Sequence, residues 1–133
     1  LNPKKMQENI FYDDVLLDVY DYLKGRIDFA IAGGIKKENI IIDPGIGFGK
    51  TTNQNLVLIQ KASIFHGLGC PIVYGVSRKN FIGELGQVPE PSERFPGSMT
   101  VAIELIRQGI QLIRVHDVQK TSQALSLWEA MKE

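Results

Sequence analysis

Three short apolar runs, each ending in a polar cluster and each followed by a helical pattern, constrain this chain more than any other feature. Ile40-Ile41-Ile42 leads into Asp43-Pro44-Gly45-Ile46-Gly47-Phe48-Gly49-Lys50. Pro71-Ile72-Val73-Tyr74 leads into Gly75-Val76-Ser77-Arg78-Lys79, and Leu112-Ile113 into Arg114-Val115-His116-Asp117. Strands alternating with helices imply a parallel sheet with right-handed crossovers. Ligands of such folds bind beyond the carboxyl ends of the strands. The three clusters therefore read as one composite, anion-ready site along that edge.

The segments between them read as follows. Residues 1–11 are loop. Val15, Val19, Tyr22, Leu23, Ile27 and Ala30 recur at spacings of three and four and predict a helix over 12–33. Asp13 and Asp14 suit its first turn, and Gly33-Gly34 stops it. A buried strand covers 39–42 and a glycine-rich loop 44–52. Asn53 or Asn55 caps the next helix, which carries Leu56, Ile59, Ala62 and Phe65 and ends at Gly67 and Gly69. Strand 71–75 and a short helix 78–85 follow. Two prolines keep 86–91 irregular. A helix over 97–108 places Val101, Ala102, Leu105 and Ile106 inward. Strand 111–115 precedes a last helix, 121–132, with Leu125, Trp128 and Met131 on one side.

The resulting order, α-βαβαβα, fits either a small doubly wound sheet or part of a (β/α)₈ barrel. A whole barrel takes about 250 residues, against 133 here. A leading helix without a preceding strand favours the second half of a barrel.

Bulk composition excludes several partners. Lys and Arg number 15, as do Asp and Glu, so no global field draws nucleic acid or an anionic membrane. Cys70 is the only cysteine, which rules out an intrachain disulfide and reads as a small core residue in a reducing cytoplasm. No apolar stretch reaches the roughly 20 residues of a membrane span. Leu1-Asn2-Pro3-Lys4-Lys5 lacks the apolar core of a signal peptide.

Chemistry follows from the clusters. Asp43, ending its strand, can accept two parallel N–H bonds from an amino-heterocycle, or can simply cap the Pro44-Gly45 turn. Phe48 either offers a stacking face or folds inward. The Gly-Lys pair at 49–50 suggests a phosphate loop, but only three residues separate Gly45 from Gly49 where four are needed. Ser77, Arg78 and Lys79 put N–H groups and positive charge at a strand-to-helix turn, with Arg78 the more structural of the two cations. Arg114 and His116 share one face of an extended strand and make an anion clamp. Asp117 reads as a helix N-cap and His66 as a surface histidine. No nucleophile–base pair and no clustered metal ligands stand out. The site is built to bind two small molecules and to stabilise charge.

These motifs, in this order, together with Glu93-Arg94-Phe95-Pro96-Gly97-Ser98, resemble the dihydropteroate synthase family of folate biosynthesis along essentially the whole chain. The resemblance implies a (β/α)₈ TIM barrel of which residues 1–133 supply roughly the second half, as the carboxyl-terminal part of one pterin-binding domain. It implies a transferase that joins 6-hydroxymethyl-7,8-dihydropterin pyrophosphate to p-aminobenzoate, giving 7,8-dihydropteroate and pyrophosphate. By motif, Asp43 would hold the pterin's amino-pyrimidine edge. Lys79 would contact the pterin and line the aminobenzoate pocket, which Phe48 borders. Arg114 and His116 would take the pyrophosphate. Lys79, Arg114 and His116 are the implied catalytic groups, and Gly75, Ser77 and Asn80 are implied substrate contacts. Asn80 departs from the Ser that many members carry, which leaves the aminobenzoate carboxylate contact open. A Mg²⁺ cofactor with no ligand in this chain, sulfonamide sensitivity, a cytoplasmic location and a homodimer are also implied. The alternatives are a pterin-binding methyltransferase domain and a non-catalytic pterin-binding module.

Overall fold

The computed structural model describes the backbone of residues 3–132 and the side chains of residues 15–132. The first helix, α1 (Pro3–Ala32), is longer than the sequence reading allowed. Leu1 and Asn2 lie outside the described residues. From Pro3 to Phe11 the chain is helical rather than loop. Proline is accommodated in a first turn, and Lys4-Lys5-Met6-Gln7-Glu8 are good helix formers with no breaker among them. Asp13 and Asp14 consequently fall outside the first turn. The helix ends as expected. Gly34 takes φ +100°, and Ile35 N–H closes back onto the Ala30 carbonyl at 3.0 Å. Val15, Leu16, Leu23 and Ile27 are buried, whereas Tyr22, assigned to the same stripe, is 67% exposed.

The first expected strand is reduced to one bridge. Lys37–Asn39 forms a 3₁₀ turn, and only Ile42 pairs, parallel, with Ile72. Its amide donates to the Pro71 carbonyl and its carbonyl accepts from Val73, both at 2.9 Å. Beside it runs β1 (Val73–Gly75), paired parallel with β2 (Leu112–Arg114) in the register Val73–Leu112, Tyr74–Ile113 and Gly75–Arg114. Spatial order thus follows chain order with no reversal, as in a barrel wall rather than at the switch point of a doubly wound sheet.

Between these strands lie α2 (Thr52–Gln60), continued by a 3₁₀ segment Ala62–Leu68, then α3 (Asn80–Gly86) and α4 (Phe95–Arg107), with α5 (Val118–Met131) last. Thr51, not Asn53 or Asn55, caps α2. Its hydroxyl accepts from Gln54 N–H while the Gln54 side chain accepts from Thr51 N–H, a reciprocal capping box. Helix α3 begins two residues later than expected because Arg78 takes a left-handed φ of 59°.

Ile72, Tyr74 and Val76 are wholly buried against α2, where Tyr74 Oη donates to the Leu58 carbonyl at 2.7 Å. Burial pushes the Tyr74 phenol well above its usual range. Leu58, Ala62, Phe65 and Leu105 complete this outer core, and Cys70 sits in it as expected. The opposite sheet face is open: Ile41 is 56% and Leu112 41% exposed. Along α5 only Thr121 is buried; of the expected apolar side, Leu125 and Trp128 are half-buried and Met131 is exposed. No helix among the described residues is long and apolar enough to cross a membrane.

Candidate functional site

A cleft of about 1090 Å³ opens beyond the carboxyl ends of the strands, lined by Gly47, Phe48, Lys50, Asn55, Ser77, Lys79, Asn80 and His116 among others. The glycine loop forms one wall. Asp43 starts it by accepting Gly45 N–H at 2.8 Å, so its Oδ1 does cap the turn. Its Oδ2 faces Arg114 at 3.5 Å, which joins the first and third clusters directly. Lys50 Nζ donates to the Gly45 carbonyl at 2.7 Å. Partial burial lowers the Lys50 pKa, and the nearby Asp43 charge opposes that shift. The loop is therefore a braced wall, not a phosphate loop.

Asn55 is the brace that sequence reading placed wrongly. It is buried in α2 and its Oδ1 accepts Gly47 N–H at 2.9 Å. Gly47, at φ +95°, lies against Lys79, whose Cδ is 3.3 Å from where a β-carbon would be. Phe48 resolves outward. It is 71% exposed, with the Lys79 ammonium 4.8 Å from its ring centre.

The Ser77–Lys79 turn is held from below. Arg94 is 7% exposed and donates to the carbonyls of Val88 (2.9 Å), Pro89 (2.7 Å) and Arg78 (2.9 Å). Ser98 Oγ accepts Arg78 N–H at 3.0 Å. Arg78 itself turns away to pair with Asp117 at 3.2 Å, as its structural assignment predicted. Asp117 occupies the N-cap position of α5, but its side chain makes no capping bond, being taken by Arg78. Neither Arg94 nor Ser98 carried a signal in the sequence beyond their shared motif, because carbonyl acceptors leave no mark in side-chain patterns.

Arg114 crosses the strand toward Asp43 over Gly75, which has no β-carbon to obstruct it. His116, two residues on, lines the cleft, with Nδ1 at 3.0 Å from Ser77 Oγ. Asn80 lines the cleft at the start of α3 and is exposed. His66 is exposed, as expected, with Nε2 against the Gln108 carbonyl at 2.9 Å. Phe48, Ser77, Lys79, Asn80 and His116 thus line the cleft, whereas Asp43, Gly75 and Arg114 are not among its lining residues and meet at the strand ends.

A parallel sheet in chain order, with helices outside and a polar cleft past its strand ends, defines a ligand-binding (β/α)₈ barrel, of which this chain supplies roughly the second half. Residues 1–116 match the pterin binding enzyme family, and the chain belongs to that family. It is 43% identical over 129 residues to the dihydropteroate synthase of Escherichia coli K12, covering 97% of this chain and 45% of that protein. The Xanthomonas albilineans dihydropteroate synthase structure with 7,8-dihydropteroate superposes with TM-score 0.86 at 42% identity over 89% of this chain and 45% of that one. The Thermus thermophilus enzyme with 4-aminobenzoate gives TM-score 0.84 at 37% identity, over 89% and 47%. The chain spans about half the length of the relatives it matches.

Proposed function

We propose that residues 1–133 form the carboxyl half of a single barrel domain whose complete form is a dihydropteroate synthase. The observation that carries this is the joining of Asp43 to Arg114 at 3.5 Å on the edge that also holds Lys79 and His116. Such an edge offers a carboxylate for an amino-heterocycle, an ammonium beside it, and a guanidinium with an imidazole for a leaving anion. In the reaction, the bond between the pterin methylene and the pyrophosphate oxygen breaks, and the electron pair leaves with pyrophosphate. The arylamine nitrogen then bonds to the methylene and loses a proton. Arg114 and His116 hold the departing anion, Asp43 and Lys79 hold the pterin, and Phe48 with Asn80 borders the aminobenzoate. Ligands of the relatives support this assignment, since one is bound to 4-aminobenzoate and another to 7,8-dihydropteroate. A methyl-transfer reading has no use for the anion clamp.

Magnesium rests on the family resemblance alone. Among the described residues no three His, Cys, Asp or Glu side chains cluster. The residues present do not fit a magnesium site, and no step runs through the ion. A cytoplasmic homodimer, formed through α5 with its exposed Leu127 and Met131, belongs to the same proposal.

In the complete barrel, Arg114→Ala weakens the pyrophosphate-bearing pterin far more than it weakens dihydropteroate, read by calorimetry on each. Equal losses for the two would sink the clamp. Competition between a sulfonamide and p-aminobenzoate separates a synthase from a methyltransferase or a non-catalytic pterin module.

A further inference from the structure

The sheet's backbone pairing ends at Gly75 opposite Arg114. Two residues further along each strand, Ser77 faces His116, and there a side chain takes over from the backbone. His116 N–H donates to Ser77 Oγ at 3.2 Å, and His116 Nδ1 lies 3.0 Å from the same oxygen. Ser77 is only 6% exposed, whereas His116 is exposed and lines the cleft.

We infer that Ser77 is a positioning residue for His116: its buried hydroxyl donates to Nδ1, fixes the Nε2–H tautomer and so presents a hydrogen-bond donor to an anionic oxygen in the cleft. Serine has one hydroxyl proton and two acceptor lone pairs. One lone pair is taken by His116 N–H. If Nδ1 carried the ring proton it would donate to the other, leaving the hydroxyl proton without an acceptor among the described residues. Burying an unpaired donor is unfavourable, so the hydroxyl points at Nδ1 and the ring proton sits on Nε2. His116 Nε2 has no hydrogen-bond partner among the described residues, which leaves its N–H for a ligand. The serine cannot drift out of place, because the next residue, Arg78, is held by Ser98 through its amide and by Arg94 through its carbonyl. Ser77, expected as a direct substrate contact and lining the cleft, thereby takes a role through His116. Arg114, on the same strand face, supplies the charge, and His116 supplies a directed N–H.

The tautomer is read in the complete barrel by long-range ¹H–¹⁵N correlation at mildly alkaline pH, where imidazoles are neutral. His116→Asn identifies the resonance by removing it. The parent and Ser77→Thr, which keeps the hydroxyl, show the Nε2–H pattern, and Ser77→Ala shows mixed tautomers. Inorganic pyrophosphate, the probe for the anion, binds Ser77→Ala about three- to tenfold more weakly and Ser77→Thr within about twofold of the parent. An Nδ1–H pattern in the parent or in Ser77→Thr overturns the assignment, even if Ser77→Ala does not fold. Unchanged tautomer and affinity in a folded Ser77→Ala overturn it too. The ligand half rests on the anion clamp proposed above. Expected tautomers with no pyrophosphate binding by the parent would reject that clamp and leave the Ser77–His116 pairing standing.

Discussion

At Gly75, a β-carbon would collide with a terminal guanidinium nitrogen of Arg114 and lie 2.8 Å from its central carbon. The backbone there is ordinary strand, so alanine is tolerated by the chain but not by the arginine lying over it. Gly75→Ala therefore moves Arg114 off Asp43 while leaving the fold in place. The expected result is about tenfold weaker pyrophosphate binding by the complete barrel, followed by calorimetry, with an unfolding midpoint close to the parent's. Unaltered affinity would mean that Arg114 does not reach ligand from this position. Gly47 differs in kind. Its φ of +95° and its contact with Lys79 make it the point where loop conformation and the lysine's place are set together. Asn55 links that glycine to α2, so the lysine's surroundings depend on the helix whose first turn lines the cleft.

Elements carry the site by their ends. The capping box at Thr51 starts α2 where Asn55 can meet Gly47. Thr51→Ala is expected to cost about 1 kcal/mol in urea unfolding of the complete barrel. Arg94 works on a larger scale, since one buried guanidinium ties the irregular 88–89 segment to the turn before α3. Arg94→Met removes all three bonds and leaves three part-buried carbonyls without their donor, with an expected loss of about 3 kcal/mol by the same measurement. A loss below about 1 kcal/mol would show that solvent takes over those carbonyls. Strand-end chemistry was legible from residues alone, because Asp43, Lys79, Arg114 and His116 are polar groups that follow apolar runs. The existence and order of the later helices were legible too, from their periodicity. What escaped was set by partners distant in sequence. Asn55 looked like a cap because its true partner, Gly47, offers only a backbone N–H. The first strand shrank to Ile42 because pairing depends on its neighbour, and Tyr22 fell outside the buried stripe because the stripe is only as wide as the surface beneath it.

For the whole molecule, the sheet has a finished side and an unfinished one. Ile72, Tyr74 and Val76 are sealed under α2, while the other face leaves Ile41 and Leu112 exposed and sets Arg114 and His116 at its rim. Barrel interiors are filled by branched side chains from all eight strands, so these residues point to where further strands would lie. Beyond Leu112–Arg114 and on the far side of Ile42, no further strand pairs among the described residues, and unpaired strand edges recruit other chains. Residues 1–133 expressed alone are therefore expected to self-associate, and to release no pyrophosphate from pterin pyrophosphate and p-aminobenzoate. The complete barrel is expected to remain dispersed and to turn over. Light scattering coupled to size exclusion reads the first property, and a coupled pyrophosphate assay reads the second. Turnover by the isolated polypeptide would show that Asp43, Lys79, Arg114 and His116 suffice without groups from other strands. A dispersed but inactive polypeptide would separate the two causes, placing the defect in missing ligands for the substrates rather than in the open edges.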